Sequence, residues 1–77
     1  MRRTIEQFVD DFGGYDIFVD CEQHELNGEW TMSFQIYKDG VSVIPRRRDS
    51  DHAYPTAKEA QSAGVDQARN IIRKLVQ

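Results

Sequence analysis

The chain has little of what catalytic, metal-binding and membrane proteins usually display. Among 77 residues there is one cysteine, Cys21, so no internal disulfide is available. A lone thiol in an alternating apolar stretch reads as a small core residue rather than a nucleophile. No apolar run reaches membrane-spanning length, and Met1-Arg2-Arg3 is followed at once by Thr4, Glu6 and Gln7 instead of an apolar leader. A cytoplasmic protein with no membrane partner is the expectation. The glycines at 13–14, 28, 40 and 64 build no phosphate loop, because no lysine-serine pair follows any of them. His24 and His52 have no acid or cysteine at metal-ligand spacing, and a metal site needs at least three convergent ligands. No serine or cysteine has a neighbouring base. The chain is therefore expected to be a non-enzyme, with no catalytic residue, metal or cofactor.

What is present specifies a small globular fold. Hydrophobic residues make up 39% and aromatic residues 10%, enough for a core in one domain spanning residues 1–77. At this size the core is marginal. Net charge is −3, which argues weakly against nucleic acid as the main partner. The charge is polarised: residues 1–37 hold eight acids and two bases, residues 38–77 eight bases and five acids. Halves of opposite sign steer a protein partner or favour self-association, although mixed charge also serves solubility alone.

The clearest element is a helix over about 56–76. Thr56 followed three residues later by Glu59 is a capping-box spacing, and Pro55 resists extending the helix backwards. Ala57, Ala60, Gly64, Ala68, Ile71 or Ile72, and Leu75 form one apolar stripe at a 3.6-residue period. Its first half is small. Gly64 costs roughly 1 kcal/mol of helix propensity against alanine, so close packing is the reason to keep it. Arg69, Arg73 and Lys74 suit the negative end of the helix dipole.

Upstream, residues 4–12 predict a short helix: Thr4 and Gln7 repeat the capping spacing, and Ile5, Phe8, Val9 and Phe12 fall on one stripe ended by Gly13-Gly14. From Tyr15 the period becomes two, with Tyr15, Ile17, Val19 and Cys21 alternating with Asp16, Phe18, Asp20 and Glu22. Asn27-Gly28 signals the next turn. A second strand over about 30–38 places Trp30, Met32, Phe34 and Ile36 on one face. Asp39-Gly40 is a two-residue hairpin signal, which sets Lys38 opposite Val41 and Ile36 opposite Val43. Pro45 ends the third strand or confines it to an edge. Residues 46–52 then read as a charged loop. The fold class expected is α+β in the order α-β-β-β-α: a three-stranded antiparallel meander, with the short and long helices on one face and the other face open.

Two surfaces emerge. Alternation places Phe18, Tyr37, Ile44 and Arg46 on the open face, a mixture of aromatic, aliphatic and arginine side chains typical of protein interfaces. That face, or an exposed strand edge, is the expected contact for a protein partner or a second copy. Asp16, Asp20 and Glu22 also line it, without anything to bury or position them as an acid–base pair. The alternative partner is nucleic acid, contacted by the basic run Arg46-Arg47-Arg48, which serves equally to blunt an edge strand.

Gly14-Tyr15-Asp16-Ile17, Asp39-Gly40 and Tyr54-Pro55-Thr56-Ala57-Lys58-Glu59-Ala60, with the later Gly64 and Ala68, resemble a group of small bacterial domains built from a three-stranded meander and a following helix. The resemblance covers residues 14–76 and implies a fold without an assigned activity. The order of elements is also similar to the double-stranded-RNA-binding domain. That resemblance implies minor-groove contact by a histidine loop, here His24, and phosphate contact at the start of the last helix, here Lys58. Arg46, Arg47 and Arg48 would add to it. Glu22, Glu25, Glu29 and Glu59 surround these positions with opposing charge.

Overall fold

In a computed structural model the described residues are 4–25 and 28–76, with the side chain of Ser50 excepted. Asn27, half of the expected turn at 27–28, lies outside them. The chain runs β1 (Thr4–Phe12), β2 (Tyr15–Gln23), β3 (Trp30–Lys38), β4 (Val41–Tyr54) and α1 (Ala57–Leu75). The strands form one antiparallel sheet in the order β1-β2-β3-β4, and α1 covers one face of it. The α+β meander with a C-terminal helix is as expected. Two of its parts differ.

The first difference is β1. Residues 4–12 are a strand and not a helix, so the sheet has four strands. Ile5 and Val9 are four residues apart, as are Phe8 and Phe12, and a spacing of four is even as well as helical. In the strand the two pairs separate to opposite faces. Phe8 and Phe12 pack against the core, while Ile5 and Val9 stand exposed on the open side. Gly13 and Gly14, at φ 61° and 84°, do not stop a helix but form a two-residue turn closed by Phe12 opposite Tyr15. Asp39 and Gly40 turn in the same hand at φ 53° and 80°. Both central residues having positive φ suits the right-handed twist of the strands they join.

The second difference is β4, which continues through the expected charged loop to Tyr54. Pro45 is tolerated because β4 is an edge and its register is already broken there. Lys38 faces Val41 and Tyr37 faces Ser42, but Ile36 faces Ile44 instead of Val43. A further extra residue lies between Ile44 and Arg47, which faces Phe34. These bulges decide which way the following side chains point.

The core lies between α1 and the central strands. Ile17, Val19 and Cys21 from β2, with Met32, Phe34 and Ile36 from β3, are buried beneath Ala60, Gly64, Ala68 and Ile72. Thr56 caps α1, its Oγ1 accepting from the Glu59 backbone N–H at 3.2 Å. Leu75 and Val76 are exposed, so the buried stripe ends at Ile72. Toward that end, Arg69 donates to Asp10 of β1 at 2.9 Å, and the guanidinium groups of Arg69 and Arg73 lie 5.3 and 5.4 Å from the Phe12 ring centre. Cation–π contacts of this kind hold β1 to α1.

Gly64 faces Val19 and Met32 so closely that a Cβ there would sit 2.9 Å from Val19 Cγ1 and 3.3 Å from Met32 Sδ. Val19 is β-branched and fully buried, so its methyl has little room to retreat. For Gly64→Ala, overpacking of roughly 1–3 kcal/mol outweighs roughly 1 kcal/mol of gained helix propensity. Thermal unfolding should show a midpoint lower by several degrees, and further lower for Gly64→Val. A Gly64→Ala protein as stable as the parent would show that α1 shifts without cost.

Candidate functional site

Among the described residues no helix or loop covers the face opposite α1, and alternation delivers its side chains. Val9 of β1 lies opposite Phe18 of β2, which lies opposite Gln35 of β3. One row nearer the two hairpin turns, Asp16 lies opposite Tyr37. The Phe18 and Tyr37 rings meet edge to face, with centres 5.5 Å apart and planes at 87°. Both are half-buried, and with Asp16, Gln35 and Gly40 they outline a shallow depression. Val9, 68% exposed, extends this apolar patch to the β1 edge.

Away from the hairpin turns the same face is polar. Asp20, Glu22, Thr31 and Ser33 line a cleft of about 140 Å³ with Ile5, Arg46 and Arg48. Arg46 Nη2 donates to Asp20 Oδ2 at 2.6 Å. His24 Nε2 lies 2.8 Å from Glu22 Oε1. Asp20 and Glu22 of β2 are thus each engaged by a basic side chain. Among the described residues no group of three or more potential ligands is arranged to hold a metal ion.

The expected interface residues are only partly brought together. Phe18, Tyr37 and Arg46 share the open face. Ile44 does not: the extra residue at Val43 places it opposite Ile36, where it packs against the core on the helix side. Val9 and Ile5 take its place in supplying aliphatic surface, and the helical reading of 4–12 concealed them. Their signal was the glycine pair at 13–14, which mirrors the Asp39-Gly40 turn between alternating segments.

The residues expected to contact nucleic acid are dispersed. Arg46 and Arg48 border the cleft on the open face, whereas Arg47 faces Phe34 on the helix side. His24 is paired with Glu22, and Lys58 is exposed in the first turn of α1. With a strand where an RNA-binding domain of this kind has its first helix, the similarity in element order does not hold.

On the helix side a second cluster occupies the gap between β4 and α1. Asp49 Oδ1 and Oδ2 both lie 3.1 Å from His52 Nδ1, and Gln67 Nε2 donates to Oδ2 at 3.2 Å. Each histidine therefore has a carboxylate partner, at i−2 or i−3, a pairing of two groups rather than the three a metal site needs. The hydrogen bond to Asp49 and its charge raise the His52 pKa, and the same bond lowers that of Asp49. Cys21 is buried against the Ala57 carbonyl, its Sγ at 3.6 Å, and burial, with Glu6 and Asp20 nearby, pushes its thiol up to about 11. At neutral pH it is protonated.

Together these features define a small α+β domain with one covered and one uncovered sheet face. No helix among the described residues is long and apolar enough to cross a membrane. A family described as a domain of unknown function, DUF6566, matches residues 5–76, and the chain belongs to that family. Neither the curated proteins nor the solved structures give a match.

The Asp49–His52 pair makes a pH prediction. A raised histidine pKa contributes stability that is complete below the ordinary value of 6.5 and is lost as pH rises through the raised value. A lowered aspartate pKa contributes stability that is complete above 3.8 and is lost as pH falls through the lowered value. The pair is thus fully charged between those ordinary values. An NMR titration of His52 should give a midpoint above 6.5 that Asp49→Asn brings back toward it. An unchanged midpoint in the variant would assign the shift to another group.

Proposed function

We propose that the domain is a non-enzymatic protein-interaction module whose binding surface is the open sheet face. Phe18 and Tyr37 are the anchors, Val9 extends the apolar patch, and Arg46 with Asp20 forms part of a polar rim. The observation that carries this reading is the edge-to-face aromatic pair in an uncovered sheet, half-buried and bordered by an exposed valine. Aromatic side chains and arginine are the residues most often decisive at interfaces, and a polar margin supplies orientation. The protonated core thiol and the engagement of Asp20 and Glu22 support a binding role over a catalytic one.

Truncating an aromatic anchor costs roughly 2 kcal/mol or more, about thirtyfold in affinity for each. Affinity capture with the folded domain, followed by direct titration of the captured protein, should give binding that Phe18→Ser with Tyr37→Ser abolishes. The amide NMR spectrum of the variant should remain that of a folded domain. A partner retained at full affinity by the folded double variant would sink the proposal. Capture of nucleic acid instead, with affinity falling steeply as salt rises, would move the function to the arginines.

A further inference from the structure

Among the described residues the sheet ends in two unpaired edges, β1 and β4, and they are unlike. β4 carries Pro45, which has no N–H to offer, several register breaks, and three successive arginines. Such features block strand addition. β1 has none of them. Its nine residues pair with β2 in unbroken register from Thr4 opposite Gln23 to Phe12 opposite Tyr15, with no proline, glycine or lysine.

The direction of its free hydrogen-bonding groups follows from the turn. In a two-residue hairpin the closing pair is the hydrogen-bonded kind, so Phe12 and every second residue before it direct their N–H and C=O toward β2. Ile5, Gln7, Val9 and Asp11 then direct theirs outward. On the same strand Ile5 and Val9, 46% and 68% exposed, are two of the five large hydrophobic residues in the described chain that remain in solvent.

We propose that β1 pairs antiparallel with β1 of a second copy about a two-fold axis at Gln7, joining two four-stranded sheets into one of eight. A two-fold pair must set one residue opposite itself, which leaves few registers. Centring on Glu6 or Asp10 sets like charges face to face, and centring on Phe8 sets Glu6 opposite Asp10 of the second copy. Such pairs are destabilising. Centring on Val9 gains one apolar pair on the open face, Val9 with its own counterpart. Centring on Gln7 gains two, because Ile5 meets Val9 of the second copy and Val9 meets its Ile5, while no acid faces an acid. Gln7 then meets Gln7, whose outward N–H and C=O satisfy each other across the axis.

The strand's own sequence supports a copy of this chain as the occupant, because in the Gln7-centred register each exposed aliphatic residue of β1 meets the other and no acid meets an acid. Pairing also places the two open faces on one surface. The seam shares Val9 with the open-face patch but not the Phe18–Tyr37 anchor, so the aromatic double variant tells the two readings apart.

Sedimentation over a concentration series should show a monomer–dimer equilibrium. Val9→Lys, at a position where the folded monomer makes few contacts, should raise the dimer dissociation constant about tenfold or more by placing charge on the seam. Phe18→Ser with Tyr37→Ser should leave the dimer in place. The register has its own readout: under mild oxidation Gln7→Cys should form an intermolecular disulfide, whereas Thr4→Cys and Asp11→Cys should not. A protein that stays monomeric throughout the series would overturn the proposal. So would a dimer that survives Val9→Lys, or one in which Gln7→Cys fails to cross-link.

Discussion

The close approach of α1 to the sheet at Gly64 is the constraint on which the remaining structure depends. With hydrogen in place of a methyl, the helix backbone settles against Val19 and Met32, and Ala60 and Ala68 on either side keep the contact shallow. A helix held this near lets short side chains seal a core that a chain of this size otherwise fills poorly. It also explains the grading of the stripe. Small residues lie where helix and sheet are in closest contact, and larger ones follow, with Ile72 reaching the neighbourhood of Gly13 and Ile71 the gap beside Phe34 and Arg47.

The bulges of β4 matter as much as the helix for what the surface presents. A strand in perfect alternation after Val41 would have carried Ile44 to the open face and set Val43 inward. One extra residue reverses Ile44, and another directs Arg46 to Asp20 and Arg47 toward the helix. The three arginines are consecutive in sequence yet serve two faces. The open face is consequently amphiphilic, apolar beneath the hairpin turns and ionic beyond them.

Much of this was legible in the sequence. The capping spacing Thr56-Glu59 located α1 to within a residue of its start, and Asp39-Gly40 located the β3–β4 turn, because both features act through local geometry. Phe18 and Tyr37 followed from alternation in strands without bulges. Ile44 did not, since a bulge is an insertion in register that leaves no mark on periodicity. The segment 4–12 was misread for a different reason: its apolar residues satisfy the helical and the extended period at once. Tertiary pairing with β2, a contact made through the backbone, settled the conflict. The Asp49–His52–Gln67 cluster lay beyond reach because it depends on a helix and a strand arriving at the same place.

The tether between Asp10 and Arg69 spans 59 residues of chain, and its consequence is one of timing. Each hairpin of the meander closes between neighbours in sequence, so the sheet is built from contacts of low order that form early. The surface that Ile17, Val19, Met32 and Phe34 turn toward α1 has no cover from α1 until the residues after β4 have been made. During synthesis the nascent sheet is therefore a sticky half-structure, and α1, emerging after all four strands, both roofs it and fastens its first strand.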